Sequence, residues 1–308
     1  MQTADRRPTP AILFDSSIDE SVDQILALAM VLVYESKREA RATAVSISRN
    51  NLKVAAFCDA MARFLGAPLS IGMSEAPRLG TTVPPMISAV LEKQTPEGKL
   101  AYARVIERRI DTADPVALIR NALTAQQDQV STIVLAGPPG NLLGLLALPG
   151  TKQLIEKKVR TLVIAARFED VNGFRKLLAE WPSPILFVGD DLNALQFPGA
   201  SIEGDFAWAA NHPLVDAYRA AKPMPYDAPA AAMAAVLHAA HPDDAALRLS
   251  DPGTMTVLEN GRAQFLHDAQ GGHRSLTMDV NQKDRVIQTL RQVVSSRPPD
   301  RGRGRGPQ

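Results

Sequence analysis

Residues 14 to 30 read FDSSIDESVDQILALAM, with four acids in the first ten positions and an apolar, helix-forming run after them. The apolar stretch Ala11-Ile12-Leu13-Phe14 that leads into it has the length of a buried strand, so Asp15 is expected at that strand's carboxyl end. Open α/β sheets place their ligands there. For Asp23, and for Glu20 beside it, a plainer reason suffices, because the positive end of a helix dipole favours acids in the first turn by about 0.3 to 1 kcal/mol each. That reason does not extend to Asp15. The stretch predicts a strand, an acid-bearing loop and a helix.

Outward from it, short apolar runs alternate with longer helical ones, the pattern of a mostly parallel sheet covered on both faces. Further strands are predicted over 42–48, 69–73, 132–136, 161–166 and 184–188, and helices over 22–35, 52–65, 115–127, 141–148 and 173–181. Prolines and charges break the rhythm from 74 to 112, which predicts loops with one or two lid-like helices. Beyond Pro198 come helices over 214–221 and 227–240, then two or three strands. Two of these, 253–257 and 262–266, flank Asn260-Gly261, the strongest short hairpin signal. A final helix is predicted over 281–296. The expected fold is α/β, a mostly parallel central sheet flanked by helices, with a small C-terminal hairpin and helix in one domain over 11–296. Residues 1–10 read as an N-terminal extension. Residues 297–308, rich in Arg, Gly and Pro with nothing apolar to bury, read as a disordered tail.

The 308 residues are 45% hydrophobic, enough for a large core. Lys and Arg (34) balance Asp and Glu (33), so the totals imply no basic face for nucleic acid and favour a small-molecule ligand. Cys58, the one cysteine, lies in a helical apolar pattern and reads as a core residue; it excludes an intrachain disulfide. The amino-terminal residues read as neither signal peptide nor membrane anchor, so the expected location is cytoplasmic. The five histidines are scattered without ligand spacing and read as surface or helix-end residues.

Two other stretches bear on the first. In VLAGPPGNLLGLLALPG, from Val134, a strand ends in a Gly-Pro turn before a helix; in MPYDAPAAAMAAVLHA, Asp227 follows Tyr226 and opens an alanine-rich helix, where alone it reads as an N-cap. In this order, the three resemble the inosine-uridine preferring nucleoside hydrolases over about 11–291. The family carries D-T-D-x-G-x-D-D-A, and in a longer-looped branch D-T-D-M-G-N-D-I-D-D-A-L-A-L, which the stretch from Asp15 matches in length without a gap. SRNNLKVAAFCDAMARF looks like the branch's K-D-N-x-x-A-A-P-F-V-D-A, and LAGPPGNLLGLL like its T-G-P-L-T-N-L-A turn.

The resemblance implies a Ca²⁺ ion at the strand ends that orients the ribose hydroxyls and holds a water, which an aspartate deprotonates for attack on the anomeric carbon. Carried over position by position, Asp15 falls on the first, supporting aspartate. Asp23 falls on the aspartate that binds a ribose hydroxyl, and with Ser17 it occupies the catalytic positions. Ser17 stands where the family has the general base and metal ligand, and Gln24 where it has the bidentate calcium aspartate. Asp227 matches the late calcium aspartate, and Ala136 a residue that offers only its backbone carbonyl. Asn50, Asn51 and Tyr226 fall on substrate-binding positions. After the strand ending at Ala166, the family's acid- and asparagine-rich ribose clamp is shortened to RFEDVNG, where only Glu169, Asp170 or Asn172 could substitute.

The metal and base positions are thus degenerate, which predicts weak or lost N-ribosyl hydrolysis, a pseudoenzyme binding a nucleoside or sugar, and a calcium site that is degraded. The alternative is an active, divergent calcium-dependent hydrolase using Asp15, Asp23 and Asp227, with Asp19 or Glu20 turned into the site. Asp15, Ser17, Asp23, Gln24, Ala136 and Asp227 are expected to converge on one pocket, with Asp15 and Asp227 facing each other. No membrane and no nucleic acid are implied, and homo-oligomers are a family expectation.

Overall fold

Strand β1 (Ala11–Ser16) is buried along its whole length, and its side chains alternate between two cores: Ile12 and Phe14 join one, Leu13 the other. The computed structural model describes residues 8–18, 21–76 and 83–299. From β1 the chain passes through α1 (Val22–Lys37), β2 (Arg41–Ile47), α2 (Leu52–Phe64), β3 (Ile71–Met73), α3 (Pro85–Leu91), α4 (Pro115–Thr124), β4 (Ser131–Leu135), α5 (Gly140–Leu146), α6 (Thr151–Lys158) and β5 (Val159–Ile164). It continues with α7 (Val171–Glu180), β6 (Ile185–Val188), α8 (Asp190–Asn193), β7 (Gln196–Phe197), α9 (Ile202–Asp205), α10 (Pro213–Ala221), β8 (Ala228–Pro229) and α11 (Ala231–Ala240). Strands β9 (Leu247–Leu249), β10 (Gly253–Val257), β11 (Ala263–His267) and β12 (His273–Met278) precede α12 (Lys283–Val294).

The central sheet runs β11-β10-β12-β6-β5-β4-β1-β2-β3, with β9 also on β12. From β12 to β3 every neighbour is parallel; β9 and β10 run against β12. This is the predicted α/β architecture. The chain leaves β1 towards β2 and β3 on one side and returns to β4 on the other, so the β1 and β4 ends form a topological switch point. One core holds α1, α2, α10 and α11; the other holds α4 to α7.

Helix α1 has almost no polar face: nearly every side chain from Val22 to Ser36 is buried, as expected of a helix enclosed on all sides. Ser21 caps it, accepting from the Asp23 amide at 3.2 Å. Helix α11 is buried at all ten positions and packs beside α1. That pairing brings Asp23 to the amino end of α11. Cys58 is buried in the core, as its pattern implied.

Several boundaries differ from expectation. The alanine-rich helix starts at Ala231, not at Asp227, because Ala228–Pro229 pairs with β7 first. Strand β5 stops at Ile164, leaving Ala165 and Ala166 in the loop above the sheet. Four strands, not two or three, follow α11, and the hairpin's second strand begins at Ala263, with Gly261 at φ +74° supplying the left-handed turn position. Helices α6, α8 and α9 were not anticipated. No helix among the described residues is long and apolar enough to cross a membrane.

Candidate functional site

Asp15 stands opposite Ser46 in the parallel β1–β2 register, so its side chain meets a hydroxyl from the neighbouring strand. Ser46 Oγ donates to Asp15 Oδ2 at 2.5 Å, and Asn141 Nδ2, from the first turn of α5, donates to the same oxygen at 2.9 Å. Among the described residues Oδ1 has no hydrogen-bond partner. The carboxyl is wholly buried, and this burial pushes its pKa up to about 7 despite the two donors. Asp15 is therefore a buried support under the strand ends and does not line the pocket above them.

Ser17, Gln24 and Ala136 are joined directly. Ser17 Oγ donates to Gln24 Oε1 at 3.3 Å, and Gln24 Nε2 donates to the Ala136 carbonyl at 2.6 Å, tying the end of β1 and the first turn of α1 to the turn after β4. Ser16 Oγ adds a longer bond to the same carbonyl at 3.4 Å. The turn is close: a Cβ on Gly137 would stand 2.6 Å from the Ser17 backbone nitrogen, so only glycine fits there. Next to Ser17, Ile18 lies at φ +61° with its side chain fully buried. For a β-branched residue this conformation costs about 1–3 kcal/mol, which the surrounding contacts must outweigh. One of them is Ser16 Oγ, which accepts from the Ile18 amide at 3.2 Å.

Asp23 reaches the unprotected end of α11, whose own N-cap is Ala230 and offers no side-chain acceptor. The Ala232 amide donates to Asp23 at 2.9 Å and the Met233 amide at 3.4 Å. Burial raises the carboxyl pKa to about 7, while these two donors act in the opposite sense. Asp23→Ala is expected to cost about 2–3 kcal/mol, since it strands two buried helix-end donors, and to appear as a fall in the urea midpoint without a change in slope. A fall below about 0.5 kcal/mol would show that the contact is incidental.

Asp23, Gln24 and Ala136 do line one pocket of about 610 Å³ at the strand ends, together with Pro84, Met86, Arg167, Lys222 and Tyr226. Asp227 does not. It is exposed and points elsewhere, its Oδ1 accepting from the Gly199 amide at 3.1 Å. The expected apposition of Asp15 and Asp227 is absent, and the raised pKa of Asp15 comes from burial instead of a facing carboxylate. Asn50 is exposed, and Asn51 caps α2 through the Val54 amide at 3.3 Å; neither lines the pocket. Tyr226 stacks on Tyr218 with ring centroids 4.4 Å apart, and its hydroxyl donates to the Tyr218 carbonyl. Of the clamp candidates, Asp170 caps α7 through the Gly173 amide at 2.9 Å, Asn172 lies within that helix, and exposed Glu169 pairs with Arg167 at 3.5 Å. Asp19 and Glu20 lie outside the described residues.

Calcium wants six to eight oxygens, with charged ones raising its affinity. The described residues do not fit that demand. The Ala136 carbonyl already takes an amide, Gln24 Oε1 takes a hydroxyl, Asp23 takes backbone donors, and Asp15 sits beneath the pocket. Among the described residues no three His, Cys, Asp or Glu side chains come together as a metal-binding group.

The whole fold has counterparts among solved structures. A plant nucleoside hydrolase aligns over 94% of this chain and 100% of its own with a TM-score of 0.65 at 15% identity. An inosine-guanosine nucleoside hydrolase aligns over 92% and 98%, with a TM-score of 0.65 at 14% identity. The type III effector protein XopQ, in complex with adenosine diphosphate ribose, aligns over 95% and 96%, with a TM-score of 0.62 at 13% identity. No family model matches the chain, and neither does any curated protein sequence. The fold is that of the nucleoside hydrolases.

Proposed function

We propose that this chain is a degenerate nucleoside hydrolase of the long-loop branch, a protein whose pocket binds the sugar of a nucleoside or related ribosyl compound without calcium and whose N-ribosyl hydrolysis is weak or lost. The observation that carries the reading is the chain of bonds from Ser17 through Gln24 to the Ala136 carbonyl. By the resemblance, these three positions would face the ion; here a hydroxyl and an amide, which can donate as well as accept, satisfy one another. A carboxylate pair could not do this, because it only accepts. Solved relatives of the fold that are named for nucleosides, or that hold adenosine diphosphate ribose, support a ribosyl ligand.

The residues supply binding groups but no base at the Ser17 position. A serine hydroxyl bonded to an amide oxygen does not take a proton from water near neutral pH, and a positioned general base is worth roughly 10²- to 10⁴-fold. Hydrolysis of nucleosides under excess calcium is expected to fall short of an active hydrolase by at least that factor. Calorimetric titration with calcium should show no specific binding, and the melting temperature should be the same in calcium and in EDTA, because a ligand stabilises only as far as it binds the folded state. A calcium-dependent rise in melting temperature would refute the reading.

A further inference from the structure

The charged side chains that line the pocket among the described residues are Asp23, Arg167 and Lys222. A site built to hold a divalent cation would carry the opposite balance. Asp23 is buried at the floor and faces the backbone donors of α11, so its charge is directed away from any ligand. Both cations are exposed at the rim. Among the described residues the ion pair of Arg167 is with Glu169, itself exposed, at 3.5 Å, a contact worth little in water. Lys222 has no carboxylate within ion-pair distance among the described residues, and its ammonium lies 5.7 Å from the centre of the Tyr226 ring.

A second cleft adjoins the pocket. Ala165, Ala166 and Asn193 line both, and the cleft, of about 510 Å³, lies under the β10–β11 hairpin. Ala165 and Ala166 follow the end of β5, the Ala165 amide still donating to the Leu135 carbonyl of β4 at 2.9 Å, and Asn193 ends α8. The second cleft is lined by Phe168, Phe265 and His267 over the buried Phe187, with Asp190, Asp191 and Ser275 among its polar groups. A strand-end pocket with a guanidinium and an ammonium at its rim, adjoining a cleft lined by aromatic rings, offers the chemistries found along a ribosyl phosphate joined to a planar ring.

We infer that the ligand is a phosphorylated ribosyl compound, its sugar in the pocket above Asp23 and Gln24, its phosphate met by Arg167 and Lys222 at the rim, and a ring beyond the phosphate taken by the cleft at Phe265. The inference rests on the metal-free reading of the same pocket. It explains why cations stand at the rim of a pocket whose one lining carboxylate among the described residues, Asp23, is satisfied by the protein itself.

Calorimetry on the full chain in EDTA, with ribose and ribose 5-phosphate as probes, tests the phosphate. Ribose 5-phosphate is expected to bind roughly 10- to 100-fold more tightly, as charge-assisted hydrogen bonds to phosphate provide. The double variant Arg167→Gln with Lys222→Gln, both exposed positions and therefore expected to leave the circular dichroism spectrum unchanged, should abolish that preference. Adenosine diphosphate ribose should bind more tightly than ribose 5-phosphate, and Phe265→Ala should remove the difference. Equal affinity for the two sugars, a preference that survives the double variant, or a preference that appears only with added calcium overturns the inference. Calcium binding with the EDTA preference intact would instead overturn the metal-free reading and leave the phosphate site standing.

Discussion

Asp15→Asn is expected to raise the stability of the protein above neutral pH, with a gain that shrinks as the pH is lowered. The carboxyl of Asp15 is fully buried and its pKa is pushed from 3.8 to about 7 by that burial. A group whose folded pKa lies above its unfolded value contributes stability that is present below 3.8 and is lost as the pH rises through about 7. Each tenfold change in proton affinity corresponds to about 1.4 kcal/mol, so above neutral pH the buried charge costs on the order of 4 kcal/mol. Asparagine keeps an acceptor oxygen for Ser46 and Asn141 and carries no charge. Urea unfolding from pH 4 to pH 8 should therefore show variant and wild type converging at the acid end and separating by several kcal/mol at the alkaline end. Asp23, raised in the same direction, leaves a residual slope in both proteins. A variant less stable than wild type at pH 8, with an unchanged slope, would mean that Asp15 is stabilised as an anion by groups other than Ser46 and Asn141.

The fold was legible in the sequence because parallel strands covered on both faces read as apolar runs, as AILF in β1, IVL in β4 and LVI in β5 do. Helix α6 was not, since TKQLIEKK buries only Thr151 and Ile155 and has no apolar stripe to read. Helix α8 is a single turn, too short for any period. At the site, the stretch 14–30 marked the right positions but not their partners. The Gln24 amide and the Ala136 carbonyl are 112 residues apart, and they meet only because β1 and β4 are neighbours in the sheet. The start of α11 was misplaced for the same reason. Its cap lies on Asp23, 209 residues away from Ala232, so the nearby acid Asp227 looked like the local answer and proved instead to hold the Gly199 amide. Ile18 gave no signal at all, because nothing in a β-branched residue announces a left-handed backbone.

Returning carboxylates to the two replaced positions should make the protein calcium-dependent at the expense of its stability in EDTA. In Ser17→Asp with Gln24→Asp, the Ala136 carbonyl loses the amide that donates to it at 2.6 Å, and two acids take the place of a bonded hydroxyl and amide. A buried acceptor left with only the long Ser16 bond costs up to about 1–3 kcal/mol, and the two new acids, close to one another, disfavour double ionisation as well. The melting temperature of the double variant in EDTA should lie well below that of wild type. Added calcium should recover part of the loss, by about 2.7 kcal/mol once its concentration reaches a hundred times the dissociation constant, while wild type stays unchanged. Binding should nonetheless be weak, since Asp15 remains beneath the pocket and Asp227 remains on Gly199, which leaves the ion short of the six to eight oxygens it requires. The neighbour Ile18 sharpens the outcome: its strained backbone holds the β1 end where Ser17 now points, so an aspartate at 17 must accept that direction. A folded double variant with no response to calcium would show that the loop, and not only its side chains, has left the geometry of a metal site.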